Sequence, residues 1–463
     1  MNEAPGLMNQ TAGHPTKTGP TADRVPTRIA VTWGLGALGT ATMLNGVNVM
    51  LMFFLVNFIK IDPVVAGALL FSTKVLDAVT DPPMGLLSDR SDGRWGRRRP
   101  FLLAGAFFCS LSLIWLFNVP LFSNPAPVYL WICSGLVMYT LSYTVFTVPY
   151  MAMPTEMTDD YHERNRLMSW RTVFLTVGNL MGVGAAPVLV AMFGKDRDAY
   201  GQMALVMGLV IWLAMIGAFL GTTGARETAR DDKPARIMEH IRLLRTNVPL
   251  LVLMGTKIVI YAGLAAFTAV VLFYFSSVLK KGPETLGVFF GTFSLAAIVC
   301  TPLQLLAGRR WDKRRVYLVC LGAYALGMLS WLTATPTETT LVLVLRAVWL
   351  GGFNAGLMLF GYSMLVDTYA WDFQMTRLRR EGFLASTISF VEKFSLALGP
   401  LVIGALLSAM GFDKNLDPSA DQSPSTVRAM EIGLVWIPVG TQLMAMLLMR
   451  WYRLRKEDLH IAV

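Results

Sequence analysis

Apolar runs of roughly 20 residues alternate along this chain with short breaks rich in charge, Pro or Gly, and that run length is what an α-helix needs to cross a hydrocarbon layer. Twelve such spans are predicted, near 29–58, 64–88, 101–121, 128–150, 167–193, 203–222, 248–278, 284–307, 316–334, 339–367, 383–411 and 429–450. The hydrophilic segment 223–247 divides them six and six. The expected organisation is therefore a disordered cytoplasmic tail over 1–28, a six-helix bundle over 29–222, a linker over 223–247, a second six-helix bundle over 248–451 and a short tail over 452–463. Within the linker, MEHIRLLR has the pattern of an amphipathic helix lying on the membrane surface.

An internal repeat supports the division. DPPMGLLSDRSDGRWGRRR at 81–99 returns in weakened form as TPLQLLAGRRWDKRR at 301–315, and the charged stretch from Glu156 to Arg171 is echoed from Asp367 to Glu381. Two positions break the echo: Thr301 stands opposite Asp81, and Ala297 opposite Asp77.

Composition agrees with a polytopic membrane protein: 54% of residues are hydrophobic and 15% charged, with a mean hydropathy of +0.52. Of the 40 Lys and Arg, 28 fall in segments on the side of the N-terminus, which places both termini in the cytoplasm. The net charge of +10 then reflects topology against an anionic inner leaflet and not a nucleic-acid partner. Cys109, Cys133, Cys300 and Cys320 sit inside apolar spans without paired spacing, and His14, His162, His240 and His460 lie in tails or loops. Packing accounts for the cysteines better than disulfide or metal chemistry, and no intramembrane histidine proton relay is available. The polar first 27 residues lack the apolar core of a signal peptide.

Asp77 and Asp81 lie one turn apart inside the second span, with Thr80 beside them and Lys74 one turn before Asp77. Carboxylates at membrane depth are costly and mark functional sites. Two of them cannot both stay ionised without a counter-charge, so one is protonated, one pairs with Lys74, or a cation bridges them. A plain Lys74–Asp77 ion pair is the structural alternative.

DAVTDPPMGLLSDR followed by GRWGRRRPF, then VPYMAMPTEMTDDYHERNRLMSWR, and MLVDTYAWD before the eleventh span, together resemble the glycoside-pentoside-hexuronide:cation symporters, the melibiose-permease-like family of the major facilitator superfamily. The resemblance runs from the first span to the eleventh. It implies an all-α fold of 12 transmembrane helices in two pseudo-symmetric six-helix bundles, with Asp77 and Asp81 as ligands of a coupling ion and Thr144 giving a hydroxyl oxygen. Na+ or Li+ suits such oxygens; Thr80 stands where the family pattern has Asn, which makes H+ a competitor. Arg171 and Lys393 match substrate-contacting cations, with snorkelling as the alternative for Arg171 and local neutralisation by Glu392 as that for Lys393. The family's Lys-Asp pair of the first helix is here Thr40 and Ala41, its fourth-helix Asp is Thr147 and its stacking Trp is Met151, which argues against a galactoside.

Asn45 and Asn48, four and seven residues after Ala41, share a cavity face if Ala41 does, and Tyr143, Phe146 and Tyr150 form a stripe that either stacks a solute or packs between helices. Around SDRSDGRWGRRRP, Gly85, Asp89, Arg97 and Arg98 are expected to form a cytoplasmic gating latch with Glu156, Arg164, Asp367 and Arg379. The expectation is thus a monomeric cation-coupled symporter of the plasma (inner) membrane for a sugar or glycoside-like solute, with no resident cofactor. A sodium-coupled lysolipid transporter or flippase shares much of the same pattern, and a non-transporting receptor or scaffold is a third class. No nucleophile elbow, P-loop, HExxH or dinucleotide fingerprint points to an enzyme.

Overall fold

The computed structural model describes residues 24–91, 95–158, 160–225, 244–376, 381–454 and 458. Among these described residues, twelve helices long and apolar enough to cross a membrane run over Thr27–Asn57 (α1), Pro63–Asp89 (α2), Arg99–Phe117 (α3), Pro125–Pro154 (α4), Arg166–Phe193 (α5) and Arg197–Gly221 (α6). They continue over Val248–Val278 (α7), Pro283–Arg310 (α8), Lys313–Thr333 (α9), Thr340–Thr376 (α10), Phe383–Ala409 (α11) and Pro424–Trp451 (α12). The protein is a multi-pass membrane protein of all-α architecture.

Helix starts follow local chemistry. Asp62, Asp196 and Asn247 cap α2, α6 and α7 with side-chain oxygens at 2.8–3.1 Å from the first-turn amides, and Pro occupies the first turn of many helices, where its missing N–H costs nothing. The helix of α4 runs on through Met157, and an α-helix capped by Asp160 begins at Tyr161 and leads into α5. Glu156 and Arg164 therefore sit on helix ends and not in a loop. In the same way α10 carries Asp367 within its last turns. Most of the linker, including the start of MEHIRLLR, lies outside the described residues.

Helices α1 to α6 pack mainly on one another, as do α7 to α12, and the two groups meet along three seams. Between α2 and α11, a β-carbon on Gly67 would stand 2.3 Å from the Pro400 carbonyl oxygen, and one on Gly404 would stand 2.2 Å from that of Pro63. Only glycine permits this approach. Between α5 and α8, a β-carbon on Gly287 would reach the Gly184 carbonyl at 2.7 Å, where α5 loosens into a π-helical turn over Leu180–Ala185. Between α1 and α7, Phe53 meets Phe273 edge-on at 5.0 Å.

Polar ties reinforce the same end: Ser408 donates to the capping Asp62 at 2.6 Å, and Lys195 pairs with Glu284 at 2.8 Å. These seams lie at the end away from the termini. Nearer the termini the cross-bundle tie on α2 and α11 is Lys393 to Asp81, and past it Leu86, Leu87 and Phe390 are exposed. The bundles thus make their seams at the end away from the termini, and no comparable cross-bundle seam occurs near the termini among the described residues.

Candidate functional site

The carboxylate pair lies where α2 faces α4 and α11. Asp77 is buried, with Oδ2 3.4 Å from the Lys74 ammonium, which also stands 5.8 Å from the centre of the Tyr139 ring. Its second oxygen, Oδ1, is buried with no hydrogen-bond partner. Asp81 is less enclosed: Thr144 of α4 donates to its Oδ1 at 2.9 Å, and Lys393 of α11 donates to its Oδ2 at 2.9 Å. Thr80 gives its hydroxyl to the Leu76 carbonyl at 2.9 Å and lies 3.4 Å from the Thr144 hydroxyl. Asp77, Asp81, Thr80, Thr144 and Lys74 therefore share one locus, and Lys393 joins it from the other bundle. Among the described residues no group of three or more His, Cys, Asp and Glu side chains has the arrangement to hold a metal ion.

Lys393 reaches across the bundle interface to Asp81. Its neighbour Glu392 does not neutralise it, because consecutive helical residues diverge by about 100°. Glu392 instead accepts from Lys257 of α7 at 2.6 Å and from the Tyr362 hydroxyl of α10, which also meets the Tyr261 hydroxyl at 3.3 Å. The Lys257 ammonium stands 3.9 Å from the centre of the Tyr362 ring. Sequence reading passed over this cluster. Two opposite charges and two tyrosines inside apolar spans were the available signal, but their pairing joins three helices far apart in the chain.

Arg171 lies within electrostatic range of Tyr143 and Tyr150 of α4 and of Tyr362 of α10. Tyr143 also lies in the field of Lys393 and Asp77, with Thr147 beside it. Met151 is exposed. Asn48 lines a small cleft with Thr73, Lys74, Tyr139 and Ala397.

Asn45 does not share that surface. A β-carbon on Gly178 would come 2.8 Å from the Ala41 β-carbon, so Ala41 faces α5, and Asn45 donates to Asn179 there at 2.7 Å. Phe146 and Tyr150 are packing residues: both are buried, Tyr150 stacks on Trp33 at 4.8 Å, and the Phe146 backbone would be 2.9 Å from a β-carbon on Gly105. The two-sided reading of the aromatic stripe resolves to packing for these two members.

The charges near the termini form networks inside each bundle. Arg98 binds Asp89 at 2.7 Å, Glu156 at 2.7 Å and Ser88 at 3.0 Å, while Arg97 also pairs with Glu156. In the second bundle Lys313 pairs with Asp367 at 2.6 Å, the same link between the first helix after the repeat motif and the next. These pairs join neighbouring helices of one bundle. Arg164 caps the Thr158 carbonyl at 3.2 Å. Gly85 has no steric need to be glycine, since a β-carbon would meet Val148 at an ordinary 3.8 Å. Arg379 lies outside the described residues, as do Asp159 and Arg380.

Against this fold and site, residues 32–456 match the family described as MFS/sugar transport protein. The chain belongs to that family: it is a transporter of the major facilitator superfamily and not an enzyme. It is 27% identical over 420 residues to the uncharacterized symporter YnaJ of Bacillus subtilis, covering 89% of this chain and 88% of that protein. It is likewise 27% identical over 423 residues to the isoprimeverose transporter of Lactiplantibacillus pentosus, covering 89% and 85%. Among solved structures, a bacterial homologue of the lysosomal transporter Spinster, in an inward-facing unoccupied conformation, superposes with a TM-score of 0.65 at 17% identity, covering 92% of this chain and 96% of that one. That likeness concerns the fold.

Proposed function

We propose that this protein is a cation-coupled symporter that moves a sugar or glycoside-like solute by alternating access, with Na+ held by Asp77, Asp81 and Thr144. The observation that carries the reading is the buried, unpartnered Oδ1 of Asp77 beside a second carboxylate and two hydroxyls. A buried carboxylate oxygen without a donor is costly, and a small hard cation satisfies it. Relatives named for symport and for isoprimeverose support a sugar-class solute over the lysolipid alternative.

The coupling follows from charge. Without the ion, Lys74 and Lys393 compensate the two aspartates, and the Lys393–Asp81 bond ties the bundles together at mid-membrane. An arriving cation competes with the Lys393 ammonium for Asp81, because two positive charges a few Å apart in low dielectric repel strongly. Lys393 is then released from Asp81, and both it and Arg171 are available to a solute. With the basic segments in the cytoplasm, the seamed end faces outward, in a plasma (inner) membrane.

The test is uptake by proteoliposomes carrying the purified protein, screened against sugars and glycosides under imposed Na+ or H+ gradients. Gradient-driven accumulation is expected with Na+ and is expected to disappear in Asp77→Asn and Asp81→Asn. Accumulation driven by H+ alone would reassign the ion, and full accumulation by either variant would remove that aspartate from the coupling site.

A further inference from the structure

The Lys257–Glu392–Tyr362 cluster has no part in the cation site. Lys257 and Glu392 form a largely buried ion pair at 2.6 Å, with side-chain exposures of 7% and 18%. Glu392 Oε1 is taken up by Lys257 and Tyr362, whereas Oε2 accepts only a long 3.4 Å contact from the same Tyr362 hydroxyl. That oxygen keeps acceptor capacity. Tyr362 is 44% exposed although its ring is fixed by Lys257 on one side and by the Tyr261 hydroxyl at its tip. Arg171 of the opposite bundle lies within electrostatic range of it.

We infer that Tyr362 and Glu392 form a sugar-ring subsite on the C-terminal bundle: the solute's apolar ring face lies on Tyr362, which Tyr261 braces, and adjacent hydroxyls donate to Glu392, which Lys257 holds in position. An exposed, braced aromatic face beside an under-used carboxylate fits a neutral hydroxylated ring, because stacking supplies contact area and the carboxylate rejects partners that lack the hydroxyl. An anionic ring substituent at this position would be repelled by Glu392. This subsite rests on the symporter reading and deepens it. Glu392 and Lys393 are consecutive on α11, so one helix presents a solute contact to its own bundle and a cation-sensitive bond to the other. Movement of α11 on solute binding is thereby transmitted to Asp81.

The experiment is binding of 4-nitrophenyl glycosides of glucose, galactose and xylose to the purified full chain in detergent with Na+, using the matching deoxy-glycosides as a second series. Wild type is expected to bind at least one glycoside and to lose roughly tenfold or more for the deoxy form lacking the hydroxyl bound by Glu392. Tyr362→Ala and Glu392→Gln should each weaken the parent glycoside by roughly 10- to 100-fold, and Tyr362→Trp should retain it. In Glu392→Gln the deoxy penalty should shrink toward onefold, a coupling that a merely structural residue does not show. The Na+-induced rise in thermal stability should persist in both weakened variants. If Glu392→Gln does not fold, Lys257→Met/Glu392→Gln, which removes both charges of the pair, gives the same reading of the deoxy penalty. A wild type that binds and transports no sugar fails the symporter reading itself. A wild type that binds, with the variants matching it in affinity and deoxy penalty, overturns the subsite alone.

Discussion

At the scale of single residues, the decisive contrast is between two aspartates one turn apart on α2. Asp77 is enclosed with one oxygen unpartnered, while Asp81 is shared between a threonine of its own bundle and a lysine of the other. Lys393→Met removes the internal competitor for Asp81. Apparent cation affinity is therefore expected to rise roughly tenfold while coupled uptake collapses, measured as Na+-dependent thermal stabilisation against proteoliposome transport. Thr144→Val is expected to weaken cation binding by roughly tenfold, and Thr144→Ser to preserve it, because the proposed ligand is the hydroxyl oxygen and not the methyl group.

At the scale of elements, the charged networks and the glycine seams act differently. Glu156 is buried and binds Arg97 and Arg98. Glu156→Gln leaves these guanidinium groups under-compensated and should cost about 3–5 kcal/mol of stability, read by denaturant or thermal unfolding in detergent. Exposed Lys195 and Glu284 form a cross-bundle pair of similar length, yet Glu284→Gln should cost below about 1 kcal/mol, since water screens the pair. At the α2–α11 seam, Gly67→Val places a side chain where the Pro400 carbonyl already sits. The seam is expected to open, so that Thr73→Cys in a cysteine-free background reacts with an impermeant thiol reagent added from that side.

At the scale of the whole molecule, the bundles are in contact away from the termini, which under the proposed alternating access is one end of the cycle. Linking Lys195→Cys to Glu284→Cys with a short bis-maleimide should hold that contact and abolish uptake, while either single cysteine treated alike keeps it. Uptake that survives complete cross-linking would rule out rocking of the bundles about this seam.

The chain itself determined the twelve spans, their six-and-six division and the anomalous carboxylates, because these rest on apolar run length and on the cost of charge in hydrocarbon, both local properties. The repeat also relates the charged stretch that begins at Glu156 to the one that begins at Asp367, and each of these acids pairs with a basic residue at or just before the start of the preceding helix. Partner choice was not legible. Adjacency in the chain leaves Glu392 as a possible partner of Lys393, whereas packing sends Lys393 across the bundle interface to Asp81 and Glu392 to Lys257. Asn45 and Asn48 differ by one turn in sequence, yet a helix seam claims one and the cleft the other. Which face of a helix meets which neighbour is set by close approaches such as Gly67 to Pro400 and Gly178 to Ala41, and these exist only once the helices are packed together.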